Sequence, residues 1–158
     1  MSQALALAKK GQAKARPNPS VGALVIKDKK IVGKGLHETA GQDHAEVIAL
    51  KDAGLLAKGA DLYVTLEPCN HQGKTPPCTN AIISAGISNV YIAMKDPNPL
   101  VNGLGIKYLK KNGINVTTGI MEEEAKKINL GFLNRMIKSR PYIRSKIAMS
   151  LDGKTSLF

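Results

Sequence analysis

The chain has 158 residues, 43% of them hydrophobic, and a formal net charge of +11. That length allows one domain with a real core and excludes two full ones, and no apolar run approaches the roughly 18 residues of a membrane helix. The lysines behind the charge are scattered (Lys9, Lys27, Lys58, Lys95, Lys126), without a long basic block or much aromatic interleaving; this disfavours nucleic-acid binding and leaves a positive field that suits a phosphorylated small substrate.

Met1 to Lys10 reads as a short amphipathic helix ended by Gly11. It has no Arg before Arg16, no long apolar centre and no cleavage-like site, so a first helix is a better reading than a transit peptide, and a cytoplasmic protein is expected. Arg16-Pro17-Asn18-Pro19-Ser20 is a loop stiffened by two prolines, with Asn18 pinned between them as a turn former or a ligand contact. Val21 to Lys27 and Ile31 to Leu36 form a hairpin about Asp28-Lys29-Lys30. After a polar loop from His37, a helix is predicted from His44 to Ala57, with Val47, Ile48, Leu50, Leu55 and Leu56 as its apolar positions.

Leu62 to Leu66 and Val90 to Met94 read as buried strands. Between them lie a cysteine loop and a helix from Cys78 to Ala85, with Pro77 in its first turn. Asp96-Pro97-Asn98-Pro99 is a second proline-pinned loop. A helix over Leu104 to Lys111 and a strand over Ile114 to Thr118 follow. One long helix then runs from Glu122-Glu123-Glu124, where acidic residues favour a helix start, to about Lys138. Strand and helix alternate from Leu62 onward, which implies parallel crossovers; the leading hairpin adds an antiparallel pair. The predicted fold is a three-layer α/β/α sandwich with a mixed sheet.

Two segments carry chemistry. Asp43, with Glu46 three residues on, resembles a capping box, so His44 and Glu46 are either ordinary first-turn residues or side chains aimed into a cleft. Cys69 follows a strand and a proline, and Cys78 sits near a helix start, where a thiolate is favoured. Alone, either cysteine could be a small core residue. In a cytosolic chain a disulfide is disfavoured, and with His44 the better use is metal binding or catalysis. The constellation matches the His-x-Glu…Pro-Cys…Cys pattern of zinc nucleobase deaminases, except that eight residues separate the cysteines where two are usual.

That longer loop, Leu66-Glu67-Pro68-Cys69-Asn70-His71-Gln72-Gly73-Lys74-Thr75-Pro76-Pro77-Cys78, resembles the deaminase half of the bacterial riboflavin-biosynthesis RibD family, within the cytidine deaminase-like superfamily. The resemblance extends in order through Arg16 to Gly22, Asp96 to Pro99, Asn129-Leu130-Gly131-Phe132, Pro141-Tyr142, Lys146 and Ser150 to Thr155. It implies one zinc ion bound by His44, Cys69 and Cys78, with Glu46 as catalytic carboxylate. Glu46 would move protons from water to the ring nitrogen and the departing amine. The implied substrate is diaminohydroxyphosphoribosylaminopyrimidine, which loses its exocyclic amine as ammonia. Substrate contacts are implied at Asn18, His37, His71, Lys74, Asp96 and Asn98.

Residues 1–141 are expected to form the deaminase domain. Residues 142–158 resemble the opening strand of the reductase domain that follows in this family, so NADPH is not expected on this chain and Lys146 has no clear part in the deaminase site. A homo-oligomer is expected, and the reductase is either a separately encoded partner or the remainder of a longer bifunctional chain of which this sequence is a part. Two other readings remain at this level. One is a deaminase of tRNA or nucleosides, disfavoured by the Asn70 to Pro77 insert. The other is a non-catalytic zinc-stabilised interaction module.

Overall fold

The computed structural model describes residues 1–73, 75–99 and 101–155. Helix α1 (Ser2–Gly11) leads into the hairpin β1 (Gly22–Lys27) and β2 (Lys30–Leu36). Helix α2 (Ala45–Ala53), strand β3 (Asp61–Leu66), helix α3 (Cys78–Ser84) and strand β4 (Asn89–Met94) follow. Helix α4 (Leu104–Lys111), strand β5 (Asn115–Thr118) and helices α5 (Glu122–Ile128) and α6 (Leu130–Lys138) end the regular structure. The sheet order is β2-β1-β3-β4-β5. The antiparallel β1–β2 hairpin and the parallel run of β3, β4 and β5 are as the sequence predicts; the structure adds that β1 also pairs antiparallel with β3.

Glycines seat a helix on each face of the sheet. A Cβ on Gly22 would lie 2.2 Å from the Ala4 carbonyl oxygen of α1. On Gly33 and Gly35 it would lie 2.2 and 1.9 Å from the carbonyl oxygens of Ala49 and Ala45 in α2. Gly35 pairs with Ala23, and Gly22 pairs with Leu36. Neighbours in a strand face opposite ways, so α1 and α2 cover opposite faces. α5 joins α1; α3 joins α2, and α4 joins α3. This is the expected three-layer sandwich. Its core is aliphatic, centred on Val25, Leu62, Val64, Val90 and Ile92, all of them inaccessible to solvent.

Two helices differ from expectation. The helix predicted to reach Ala57 stops at Ala53, because Gly54 takes φ +54°. A short 3-10 turn, Gly54–Ala57, replaces its last turn. Leu55 and Leu56 therefore point outward, 96% and 52% exposed, and are not core residues. The helix predicted as continuous from Glu122 to Lys138 is broken at Asn129. The Asn129 side chain is buried and occupied elsewhere: its Oδ1 accepts from Ser20 N at 2.8 Å and its Nδ2 donates to Ser20 O at 3.0 Å. That clamp holds α6 beside the Pro17–Ser20 loop.

Pro77 is the residue before α3 rather than a member of its first turn. Beyond α6, residues 141–149 form neither helix nor strand and are exposed. None of the helices among the described residues is long and apolar enough to cross a membrane.

Candidate metal centre and its cavity

Three donor groups meet where α2, the loop after β3 and α3 converge. His44 Nδ1 is 3.1 Å from Cys78 Sγ and 3.6 Å from Cys69 Sγ. The backbone N–H of Cys78 donates to Cys69 Sγ at 3.4 Å. All three donor atoms lie within 4.8 Å of one another, and both cysteines are free thiols. One imidazole nitrogen and two sulfurs, brought together without a disulfide, are a soft donor set that suits zinc and leaves a coordination position open.

Protonation follows from this crowding. The hydrogen bond from Cys78, together with those from His44 and the backbone, holds the Cys69 thiol below the usual thiol range despite its burial. The same contact with Cys69, with burial and the Glu46 charge, pushes Cys78 upward. His44 is raised, chiefly by its hydrogen bond to Cys69. The two sulfurs are pushed in opposite directions by their mutual contact, and a metal binding there would displace the protons they hold.

His44 is the residue before α2, with extended backbone, and Asp43 makes no cap. The Asp43 carboxylate instead pairs with Lys51 at 2.6 Å. Glu46 is not a capping-box residue either. It is only 4% exposed, and its carboxylate shares a hydrogen bond with Cys78. Burial first, then the Cys69 charge, raises it to about 7, opposed by His44.

A cavity of about 480 Å³ opens on the cluster. Asn18, His37, His44, Glu46, Cys69, His71, Asp96 and Asn98 all line it. The sequence thus brings together every predicted site residue among those described; Lys74 lies outside the described residues. His37 is buried with both ring nitrogens engaged. Nδ1 faces the Asp43 carbonyl oxygen at 3.1 Å, so it carries the proton, and Nε2 then accepts from Asn18 Nδ2 at 3.1 Å. His37 acts on the cavity by orienting Asn18. Its ring also meets that of His44 edge-on, with centroids 5.2 Å apart. His71 is exposed at the rim. Asp96 is buried; desolvation raises it to about 6, while its contact with the Asn98 N–H works against that rise. Lys146 does not line the cavity.

Sequence reasoning missed two elements of the wall. Glu67 is 3% exposed and accepts three backbone N–H groups: Asp96 at 3.3 Å, Gly103 at 2.9 Å and Ile106 at 3.2 Å. It ties the Asp96–Asn98 loop to the cysteine loop. A charged residue directly after an apolar strand was the available signal. The second element is α6, which contributes Phe132, Arg135 and Met136. Its approach depends on the Asn129 break, for which helical periodicity offers no sign.

Residues 1–94 match the model of the cytidine and deoxycytidylate deaminase zinc-binding region. The chain is 56% identical over 154 residues to the riboflavin biosynthesis protein RibD of Aquifex aeolicus, covering 98% of this chain and 43% of that protein. It therefore spans less than half the length of that relative. It is 52% identical over 141 residues to the diaminohydroxyphosphoribosylamino-pyrimidine deaminase of Buchnera aphidicola subsp. Schizaphis graminum, covering 89% of this chain and 96% of that protein. The Acinetobacter baumannii RibD structure superposes with a TM-score of 0.93 at 52% identity, over 98% of this chain and 44% of that one. With the cluster, the fold and these likenesses in agreement, the chain belongs to the zinc-binding cytidine and deoxycytidylate deaminase family, in its RibD-type diaminohydroxyphosphoribosylaminopyrimidine deaminase branch.

Proposed function

We propose that the chain hydrolytically deaminates diaminohydroxyphosphoribosylaminopyrimidine to the corresponding aminouracil and ammonia, a step of riboflavin biosynthesis. The observation that carries this reading is the buried Glu46 carboxylate beside the His44, Cys69 and Cys78 donors, in one cavity large enough for a small ligand. In this reading His44, Cys69 and Cys78 hold zinc. Zinc, when bound, supplies Lewis acidity and lowers the pKa of water at its open position.

The rest of the work falls to the chain's own side chains. Glu46, with its affinity for protons raised to about 7, is suited both to accept and to donate near neutral pH. Its carboxylate takes a proton from water, passes it to the ring nitrogen and assists the departing amine. Asn18, held through Nδ2 by His37, offers Oδ1 and its second N–H to the pyrimidine edge. Asp96, Asn98, His71 and Lys74 complete the polar contacts in this reading. The enzyme works in the cytoplasm, where thiols stay reduced, and the product passes to a reductase.

The test is ammonia release from this pyrimidine by the zinc-loaded protein and by Glu46→Gln. The variant should keep its zinc and lose turnover by about 10²–10⁴-fold or more. Turnover retained in the variant would sink the assignment of Glu46, and none in the zinc-loaded native chain would sink the substrate.

A further inference from the structure

The charges lining the active cavity are unevenly arranged. Glu46, Glu67 and Asp96 are buried along it. Among its described lining residues, Arg135 is the sole lysine or arginine, and it stands on exposed α6. Among the described lining residues, the guanidinium on the α6 wall is therefore the side chain best suited to an anionic group entering this cavity.

Arg135 is held in place without being neutralised. Its Nη2 donates to the Pro17 carbonyl oxygen at 2.7 Å, and its guanidinium carbon lies 5.9 Å from the centroid of the Phe132 ring. Neither partner is an anion, and none of the ion pairs among the described residues includes it. A guanidinium has five N–H donors, so a carbonyl contact leaves a fork able to take two phosphate oxygens.

Arg135 also stands on the boundary with a second cavity, of about 1090 Å³. Arg16, Lys127, Arg140 and Arg144 line that second cavity with it, and no Asp or Glu does so among the described residues. Pro17, Asn18 and Phe132 are common to both cavities. The positive field therefore begins at Arg135 and continues away from the metal centre.

We propose that Arg135 is the phosphate anchor of the active cavity: it binds the substrate's phosphate and so points the pyrimidine ring at Glu46. This rests on the deamination reading above. It makes Arg135 a specificity-determining residue for phosphorylated over dephosphorylated pyrimidines, reinforced by the neighbouring basic cavity.

The experiment compares the zinc-loaded native protein with Arg135→Gln and Arg135→Lys on the phosphorylated pyrimidine and on its dephosphorylated counterpart. Arg135→Gln should lower kcat/KM for the phosphorylated compound by about 10- to 100-fold, chiefly through KM, the scale of one charge-assisted contact. Arg135→Gln also loses the Pro17 contact, a loss common to both compounds, so the test is the difference: kcat/KM for the phosphorylated compound should fall about 10-fold or more beyond any fall for the dephosphorylated one. Arg135→Lys should recover part of the loss. Equal loss on both compounds, or no loss on either, would overturn the assignment.

Titration of ribose 5-phosphate, followed by NMR, decides the same point without turnover. Weaker binding to Arg135→Gln than to the native chain supports the anchor, and equal binding, or none to either protein, refutes it. Turnover of neither pyrimidine by the native chain would count against the deamination reading, and the titration would still judge Arg135.

Discussion

Changing Glu67 to glutamine removes one acceptor oxygen and the charge from a group that holds three backbone N–H donors. Oε2 serves Asp96 and Gly103, and Oε1 serves Ile106. Whichever way the glutamine amide turns, its NH₂ faces at least one of these donors. In the better orientation its oxygen keeps Asp96 and Gly103, and the buried Ile106 N–H is left without an acceptor, at about 1–3 kcal/mol. The two surviving bonds lose their charge assistance, roughly halving their strength. The expected loss is therefore about 2–4 kcal/mol, a large share of the roughly 5–15 kcal/mol of a typical domain but short of unfolding it.

The wall near the change is tight. A Cβ on Gly105 would lie 2.0 Å from the Pro68 carbonyl oxygen, so the start of α4 has no slack to reposition against the cysteine loop. Urea denaturation of zinc-loaded native and Glu67→Gln proteins measures the loss, with zinc content and KM followed in parallel. Zinc should be kept and KM should rise, because the Asp96–Asn98 loop is released. A variant within about 0.5 kcal/mol of native, the scale of an ordinary surface change, would refute the claim that this carboxylate holds the wall.

Gly35→Ala places a Cβ 1.9 Å from the Ala45 carbonyl oxygen and should destabilise the fold by several kcal/mol while pushing α2, with His44 and Glu46, away from the cysteines; retained zinc affinity with a native melting temperature would contradict this. Asp96 is raised from 3.8 to about 6, so the native state binds its proton more tightly than the unfolded chain does, and the native state loses that advantage as pH rises from about 4 to 6. Asp96→Asn should therefore make the metal-free protein more stable at pH 8, by about 1–3 kcal/mol, with the difference shrinking toward pH 4; a difference that is flat with pH would contradict it.

Much of this arrangement can be read from the chain. The buried runs at Leu62 and Val90 give parallel strands because the stretch between each successive pair is long enough for a crossover helix. The hairpin follows from two apolar runs about Asp28-Lys29-Lys30. The donor set was legible because each of its members sits next to a recognisable boundary: His44 before a helix, Cys69 after a strand, Cys78 at a helix start. The failures have different causes. Leu55 and Leu56 continue a helical pattern, yet a backbone turn at Gly54 overrides it. Asn129 lies inside a helical pattern, yet its amide forms two long-range bonds with Ser20. Neither event is encoded in apolar periodicity: the first is a local glycine stop, with the Gly54 N–H bonded to the Leu50 carbonyl oxygen, and the second depends on a partner distant in the sequence.

The convergence of the site residues themselves follows from strand direction. β1 is antiparallel to β3, with Ala23 opposite Val64, so the start of β1 lies at the end of β3. The Gly22 N–H even donates to Thr65 Oγ1 at 3.1 Å. Asn18 must therefore lie near the Cys69 loop. β2 is antiparallel to β1, with Leu36 opposite Gly22, so His37 emerges at the same sheet end. β4 is parallel to β3, with Leu66 opposite Met94, so Asp96 emerges there too. Ligand sites in open α/β sheets gather at such strand ends. The α6 wall has no such guarantee. It reaches the cavity through the Asn129–Ser20 clamp and the contact of Arg135 with Pro17. The metal end is thus set by topology, while the phosphate end depends on a few side-chain bonds, so substitutions at α6 can alter substrate choice without disturbing the metal donors.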